Sequence, residues 1–231
     1  MTSAMSVIAA EPVLGVGLYS AREAALYARV RPQLMARWLF GGASGEAVID
    51  RQLKSEDRII TFLDFVQAMA VRAVRIERKV PLQKIRQAIQ NAEQKYGVSR
   101  PFARKHKTFL NGDEIVIKIN DDELVEVTGR HAHNRVIKEV AELYMIDVGF
   151  DPDGIASRYT PLQQGEIAVT MNPAIRFGEP VLMSCGYTAK ALWEAFKVEG
   201  GIDPAALVCG VTPAEVELAC RYYDNLLSLA V

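Results

Sequence analysis

The stretch from Tyr19 to Gly42, YSAREAALYARVRPQLMARWLFGG, holds two helical signals, each too short to stand alone. Isolated helices below about 12 residues are marginal in water, so each must pack on the other and on further chain. Ser20 can cap a helix over 21–28, and Glu23 three residues on closes a capping box. Ala24, Ala25 and Ala28 are small enough to let a second helix approach closely. Pro32 suits a first helical turn, where its missing N–H costs nothing. A helix over 32–40 buries Met35, Trp38 and Leu39 at helical spacing, and Gly41-Gly42 ends it. Two such helices on a tight turn make a helix-turn-helix, or a hydrophobic pair that closes a core; the spacing fits both.

The rest of the chain supplies the partners. A polar loop leads to Arg58-Ile59-Ile60, a candidate short strand or wing. A helix then starts near Thr61, with Phe62, Phe65, Val66, Met69, Ala73 and Ile76 on one stripe. Pro81 opens a helix over 81–96, whose Leu82, Ile85, Ile89, Ala92 and Tyr96 form a heptad seam that Gly97 terminates. The seam suits either a neighbouring helix or a second chain. Asn111-Gly112 between two apolar runs is a hairpin signal. Ile115, Ile117 and Ile119 alternate, which buries one face, and the region reads as an antiparallel meander. A helix over about 134–147 and a strand over 166–171 follow. Three helices close the chain: about 188–199, one from Asp203-Pro204, and one from Thr212, where Pro213 and Glu215 complete the start signal.

Charge is distributed unevenly along the 231 residues. Residues 51–110 carry 14 basic and 5 acidic side chains, a balance of +9, whereas 111–231 carry 9 and 19, a balance of −10. The first block can face phosphates and the second a basic protein, unless the two are solvated faces that fold back on each other. No apolar run approaches the roughly 18 residues of a membrane span, so no membrane association is expected. Cys185, Cys209 and Cys220 are odd in number and lack metal-ligand spacing, which suits thiols in a reducing cytoplasm.

Base reading in a helix-turn-helix falls to the start of the second helix. Here that means Arg31, Gln33 and Arg37; arginine can bridge guanine O6 and N7, glutamine adenine N6 and N7. The alternative is that these are solvated helix residues. Arg51, Lys54 and Arg58 lie where a wing would track phosphates, and RPFARKHK (100–107) is a further basic run, phosphate-facing or a linker. An enzyme is not expected. His131-x-His133 lacks further ligands at a recognisable spacing, and there is no phosphate-cradling glycine loop or nucleophile elbow. Neither a metal nor another cofactor is expected.

With these elements placed, ITFLDFVQAMAVRAVRIERKVPLQKIRQAIQNA (60–92), preceded by the helix pair at 20–40, resembles the MerR-like winged helix-turn-helix. DGIASRYTPL (153–162), VTMNPAIRFGEPVL (169–182) and the three closing helices resemble the small helical domain of a group of VapB-type antitoxins. The resemblance runs from about Tyr19 to Asn225. It implies an antitoxin that binds a PIN-like ribonuclease toxin and represses its own operon by binding operator DNA. Arg31 stands where the family has a small polar cap, and Arg29 where it has a turn glycine, which adds two cations beside the expected groove. The family's Gly-Thr-Arg-Ile-Pro turn is replaced by SCGYTAK (184–190). Toxin contact would fall to Asp121, Asp122 and Glu123 at a hairpin end, and to Arg158 and Arg176 in the family-like loops.

The expected fold is therefore α+β and mainly helical. A winged helix-turn-helix covers 1–100, a β meander with a connecting helix 101–165, and a three-helix, helix-turn-helix-like domain 166–231. A homodimer is expected, since such proteins read paired half-sites; either the heptad seam or the C-terminal helices can pair it. A stand-alone regulator, whose rear half dimerises or senses a ligand, is the alternative reading.

Overall fold

The computed structural model describes residues 16–42, 45–54, 58–105, 107–111, 114–120, 123–126, 138–139 and 145–228. The described chain mixes helix and sheet. Helix α1 (Ala21–Tyr27) starts at Ser20, whose hydroxyl accepts from the Glu23 N–H while Glu23 reaches back to the Ser20 N–H. Helix α2 (Pro32–Phe40) buries Met35, Trp38 and Leu39, as its spacing requires. Its last turn is closed by the following loop, since the N–H groups of Val48 and Ile49 both donate to the Trp38 carbonyl.

Helix α3 (Phe62–Arg72) is capped by a Thr61–Asp64 box and is buried on nearly every side. It runs into a π turn over Ala73–Glu77. That widening shifts the side-chain register, so Ile76 leaves the apolar stripe expected for it and is 49% exposed. Helix α4 (Leu82–Tyr96) ends on Gly97 in the left-handed conformation. Ile85, Ile89 and Ala92 of its seam are buried within the chain, whereas Tyr96 is exposed. The middle of the seam therefore packs on its own chain and is closed to a second copy.

Strands β1 (Lys107–Asn111), β2 (Glu114–Asn120), β3 (Glu123–Glu126) and β4 (Lys138–Glu139) form an antiparallel sheet in the order β3-β2-β1-β4. The expected hairpin is there, with Asn111 opposite Glu114, and Ile115 is buried. Within the helix expected over 134–147, Lys138 and Glu139 are strand instead, paired with Leu110 and Phe109, whereas Met145 is helical. The sequence around them, Val136-Ile137-Lys138-Glu139-Val140, is rich in β-branched residues, which fit a sheet better than a helix. Residues 134–137 and 140–144 of that segment lie outside the described residues.

A second antiparallel sheet, β5-β6-β7-β8, is built from Val148–Phe150, Ala156–Gln164, Ile167–Met171 and Pro180–Leu182. Only its third strand is evident from the sequence. The boundary expected at 165/166 falls in the turn between β6 and β7, where Gln164 pairs with Ile167. Helices α5 (Ala189–Glu199), α6 (Ile202–Cys209) and α7 (Pro213–Ser228) follow, and α5 packs chiefly on α7. Among the described residues no helix is long and apolar enough to cross a membrane.

One contiguous core runs through both ends of the chain: Tyr19, Phe65 and Trp38 share it with Met171, Leu182, Leu192 and Tyr222. The junction is specific. The Leu18 N–H donates to the Phe177 carbonyl at 2.9 Å, and the buried Tyr19 hydroxyl to the Gly178 carbonyl at 2.8 Å. Gly178 sits at φ +88°, and a Cβ there would fall on the Tyr19 hydroxyl. The FGEP segment thus needs its glycine both for conformation and for the close approach of the front half.

Candidate nucleic-acid interface

Helix α2 divides its residues sharply. Met35, Trp38 and Leu39 face the core, and Arg31, Gln33 and Arg37 are all exposed on the other side. This follows from the 3.6-residue repeat, which puts positions 31, 33 and 37 off the buried stripe. Arg31 occupies the N-cap without any side-chain cap hydrogen bond. Pro32 has no N–H and the amides of Leu34 and Met35 donate to the Arg31 carbonyl, so the guanidinium of Arg31 is the chief anion-favouring group at the start of α2.

The loop after α2 brings the second set of cations to the same helix. The Arg51 guanidinium lies 4.6 Å from the centre of the Phe40 ring, and that of Arg58 lies 5.3 Å from it. One aromatic ring at the last residue of α2 thus gathers two arginines from a loop of irregular backbone. Arg51 also donates to the Ile59 carbonyl at 3.4 Å. Arg58 is held at φ +51°, a left-handed conformation that costs a non-glycine residue about 1–2 kcal/mol. Lys54 pairs with Asp50 at 3.0 Å, with both side chains mostly in solvent. Such a pair contributes under about 1 kcal/mol and yields readily to a phosphate. Leu39, Phe40, Arg51, Lys54 and Arg58 line one open hollow.

Support comes from behind. Arg86 of α4 donates to the carbonyls of Glu46 and Ala47, at 2.7 and 3.1 Å. Asp64, fully buried, accepts from the Gln52 N–H at 3.0 Å and from the Thr61 N–H at 3.1 Å. Burial raises the Asp64 carboxyl above its ordinary value, against the pull of those hydrogen bonds and of Arg100. The expected strand at 58–60 reduces to a single bridge, in which Tyr19 and Ile60 exchange both backbone hydrogen bonds. Phe40, Arg86 and Asp64 were not foreseen as parts of this surface. Thr61-x-x-Asp64 was readable as a cap; nothing in the spacing signals that Phe40 collects Arg51 and Arg58.

Two basic features stand apart from α2's exposed face. Arg29 is exposed, at φ +54°, in the turn where a glycine would be favoured. Its side chain lines a cavity with Arg72, Asp147 and Tyr159, on the side of α1 that meets the second sheet. In the 100–107 run, Pro101–Ala103 is a buried 3-10 turn, and Arg104 donates to the Ser99 carbonyl at 2.8 Å. The Lys105 N–H donates to the Gly154 carbonyl, so the run joins the second half directly and is not a free linker.

Of the expected toxin-contact residues, Asp121 and Asp122 lie outside the described residues, as do His106, His131 and His133, while Glu123 begins β3. Arg158 is exposed on β6 and lies across Gly149. Arg176 is exposed in the 3-10 turn Arg176–Gly178, at φ +45°. Among the described residues no cluster of three metal-ligating side chains occurs.

No known protein family matches the chain, and no curated protein matches it. The X-ray crystal structure of Rv2018 from Mycobacterium tuberculosis is similar, with a TM-score of 0.61 and 20% identity over 89% of this chain and 98% of that one. At that identity the likeness shows a shared fold.

Proposed function

We propose that this protein binds duplex DNA through a helix-turn-helix made of α1 and α2, with the 45–60 loop as its wing. On this reading the start of α2 enters the major groove, and Arg31, Gln33 and Arg37 meet base edges. Arg51 and Arg58, fixed on Phe40, and Lys54 contact the flanking phosphates. The observation that carries the reading is the exposure of Arg31, Gln33 and Arg37 beside a loop whose cations are gathered on the same helix. Arg29, expected in the DNA set, lines the pocket beside α1, and this reading does not rely on it.

The wider role we propose is that of an antitoxin that represses its own operon and neutralises a PIN-like ribonuclease. The VapB-type resemblance of 153–225 and the −10 balance of 111–231 support it, since an acidic half steers a basic partner. The alternative, a stand-alone regulator with a sensing rear half, draws on the cavity where the two halves meet. The test has two arms. DNA from upstream of the protein's own gene should be retarded by the full chain, and a small nuclease encoded next to that gene should co-purify with it. Retardation without a neighbouring nuclease selects the stand-alone regulator. Failure to retard that DNA at low salt removes the DNA-binding proposal.

A further inference from the structure

Where the front helices meet the second sheet, the chain forms a half-open pocket of about 220 Å³, with Arg29, Ile146 and Asp147 exposed at its rim. Its polar lining is Tyr27, Arg29, Arg72, Asp147 and Tyr159, and Met69 and Ala73 give it an apolar floor. Two guanidiniums and one carboxylate leave this lining with a formal charge of +1. Arg72 reaches Glu77 at 3.6 Å, while Arg29 has no ion-pair partner among the described residues. Arg29 also adopts φ +54°, a conformation that a glycine would hold without strain. A strained backbone that holds an unpaired cation at the rim of a polar pocket is a pattern expected of a binding site.

The Tyr159 phenol adds a donor, while the Tyr27 phenol is hydrogen-bonded to Tyr223. Burial raises the Tyr27 and Tyr159 phenols above their ordinary values, so both keep their protons at neutral pH. Behind them, the Tyr222 hydroxyl is buried without a hydrogen-bond partner, and its electrostatic neighbours include Tyr27, Tyr159 and Arg29. Tyr222 does not itself line the pocket, so its orphaned hydroxyl marks unused polar capacity in the surrounding core rather than a contact within the site.

We infer that this pocket binds a small carboxylate that also carries a hydrogen-bond donor, of the 2-hydroxy or 2-amino acid class. Arg29 and Arg72 would take the carboxylate, in the paired geometry that guanidinium favours. Asp147 would accept from the ligand's hydroxyl or ammonium. A pocket of about 220 Å³ suits a compound of this size. The inference concerns a face other than α2's exposed one and does not depend on DNA binding.

The test uses the full chain, isotope-labelled and free of DNA, titrated with L-lactate, L-serine, propionate and sodium chloride at matched ionic strength. The account expects lactate or serine to move the amide signals of 28–30, 147 and 159, saturably, with propionate about tenfold weaker for want of the donor to Asp147. Arg29→Gly removes the cation while relieving the backbone, so it should raise the melting temperature and abolish saturation. Arg72→Gln should weaken binding, and Arg221→Gln on α7 should leave it intact. No response beyond that to chloride, or equal saturation in both Arg29→Gly and Arg72→Gln, overturns the site. Equal affinity for propionate and lactate overturns the ligand class.

Discussion

Helices α2 and α7 begin in opposite ways. At α7 the Thr212 hydroxyl and N–H both donate to the Glu215 carboxylate, which also accepts from the Ser184 hydroxyl. At α2 the cap is Arg31, with no side-chain hydrogen bond and a positive charge at the positive end of the helix dipole. The left-handed arginines sharpen the contrast, because Arg29 and Arg58 flank α2. The start of α7 has local sequence that agrees with its fold, although the rear half holds two left-handed residues of its own, Arg176 and Phe177. The front unit departs from local rules at the positions that carry exposed cations. Such conflicts are expected where a surface serves a ligand rather than stability.

The largest effect tests whether the two regions are one body. Trp38 and Trp193 are the chain's two tryptophans, one in the front and one in the rear. Trp38→Ala should cost about 3–5 kcal/mol, as large aromatic deletions in a core do. Trp193 fluorescence in that variant should report the same urea midpoint as far-UV circular dichroism. Two separate transitions would break the single core that joins Tyr19 to Gly178.

Swapping the caps comes next. Thr212→Ala should destabilise by about 1–2 kcal/mol and leave DNA affinity unchanged. Arg31→Ser should do the reverse, adding about 0.5–1 kcal/mol of stability while weakening DNA binding. Urea midpoints and binding isotherms on the same preparations decide this. Equal behaviour of the two variants removes the contrast.

The smallest effect is in acid. Asp64 is raised by burial, so the folded chain holds that proton to higher pH than the unfolded chain does. Its contribution to stability is full below the ordinary value of 3.8 and is lost as pH rises through the folded value. Glu215 has the opposite sign. Burial pulls it upward, but hydrogen bonds from Ser184 and Thr212 outweigh that and leave it lowered. Its contribution is present above the ordinary value of 4.5 and lost as pH falls through the folded one. Stability measured across mild acid should therefore climb more steeply with pH in Asp64→Asn, and less steeply in Glu215→Gln, than in the wild type.

The helices were the legible part of this fold. Ser20-x-x-Glu23, Thr61, Pro32, Gly97 and Thr212-Pro213 mark starts and stops that local chemistry enforces. The second sheet was mostly hidden, because β6 carries half-buried residues such as Tyr159 and Thr160 without a clean alternation. The π turn at Ala73–Glu77 was invisible, since a widened turn has no composition of its own. At the candidate interface Arg31, Gln33 and Arg37 could be placed from helical periodicity alone. Arg29 could not. Its position beside Arg72 and Asp147 depends on elements distant in sequence, which a motif register does not reveal.

The central claim is that α2 meets a duplex through its exposed cations. Fluorescence anisotropy of labelled DNA from the protein's own upstream region, over a salt series, tests it most directly. The account predicts a linear fall of log affinity with log salt. It predicts that Arg31→Ala/Arg37→Ala loses about 30-fold or more in affinity, with a salt slope smaller in magnitude and an unchanged melting curve. An affinity and slope equal to wild type in that double variant would contradict the claim.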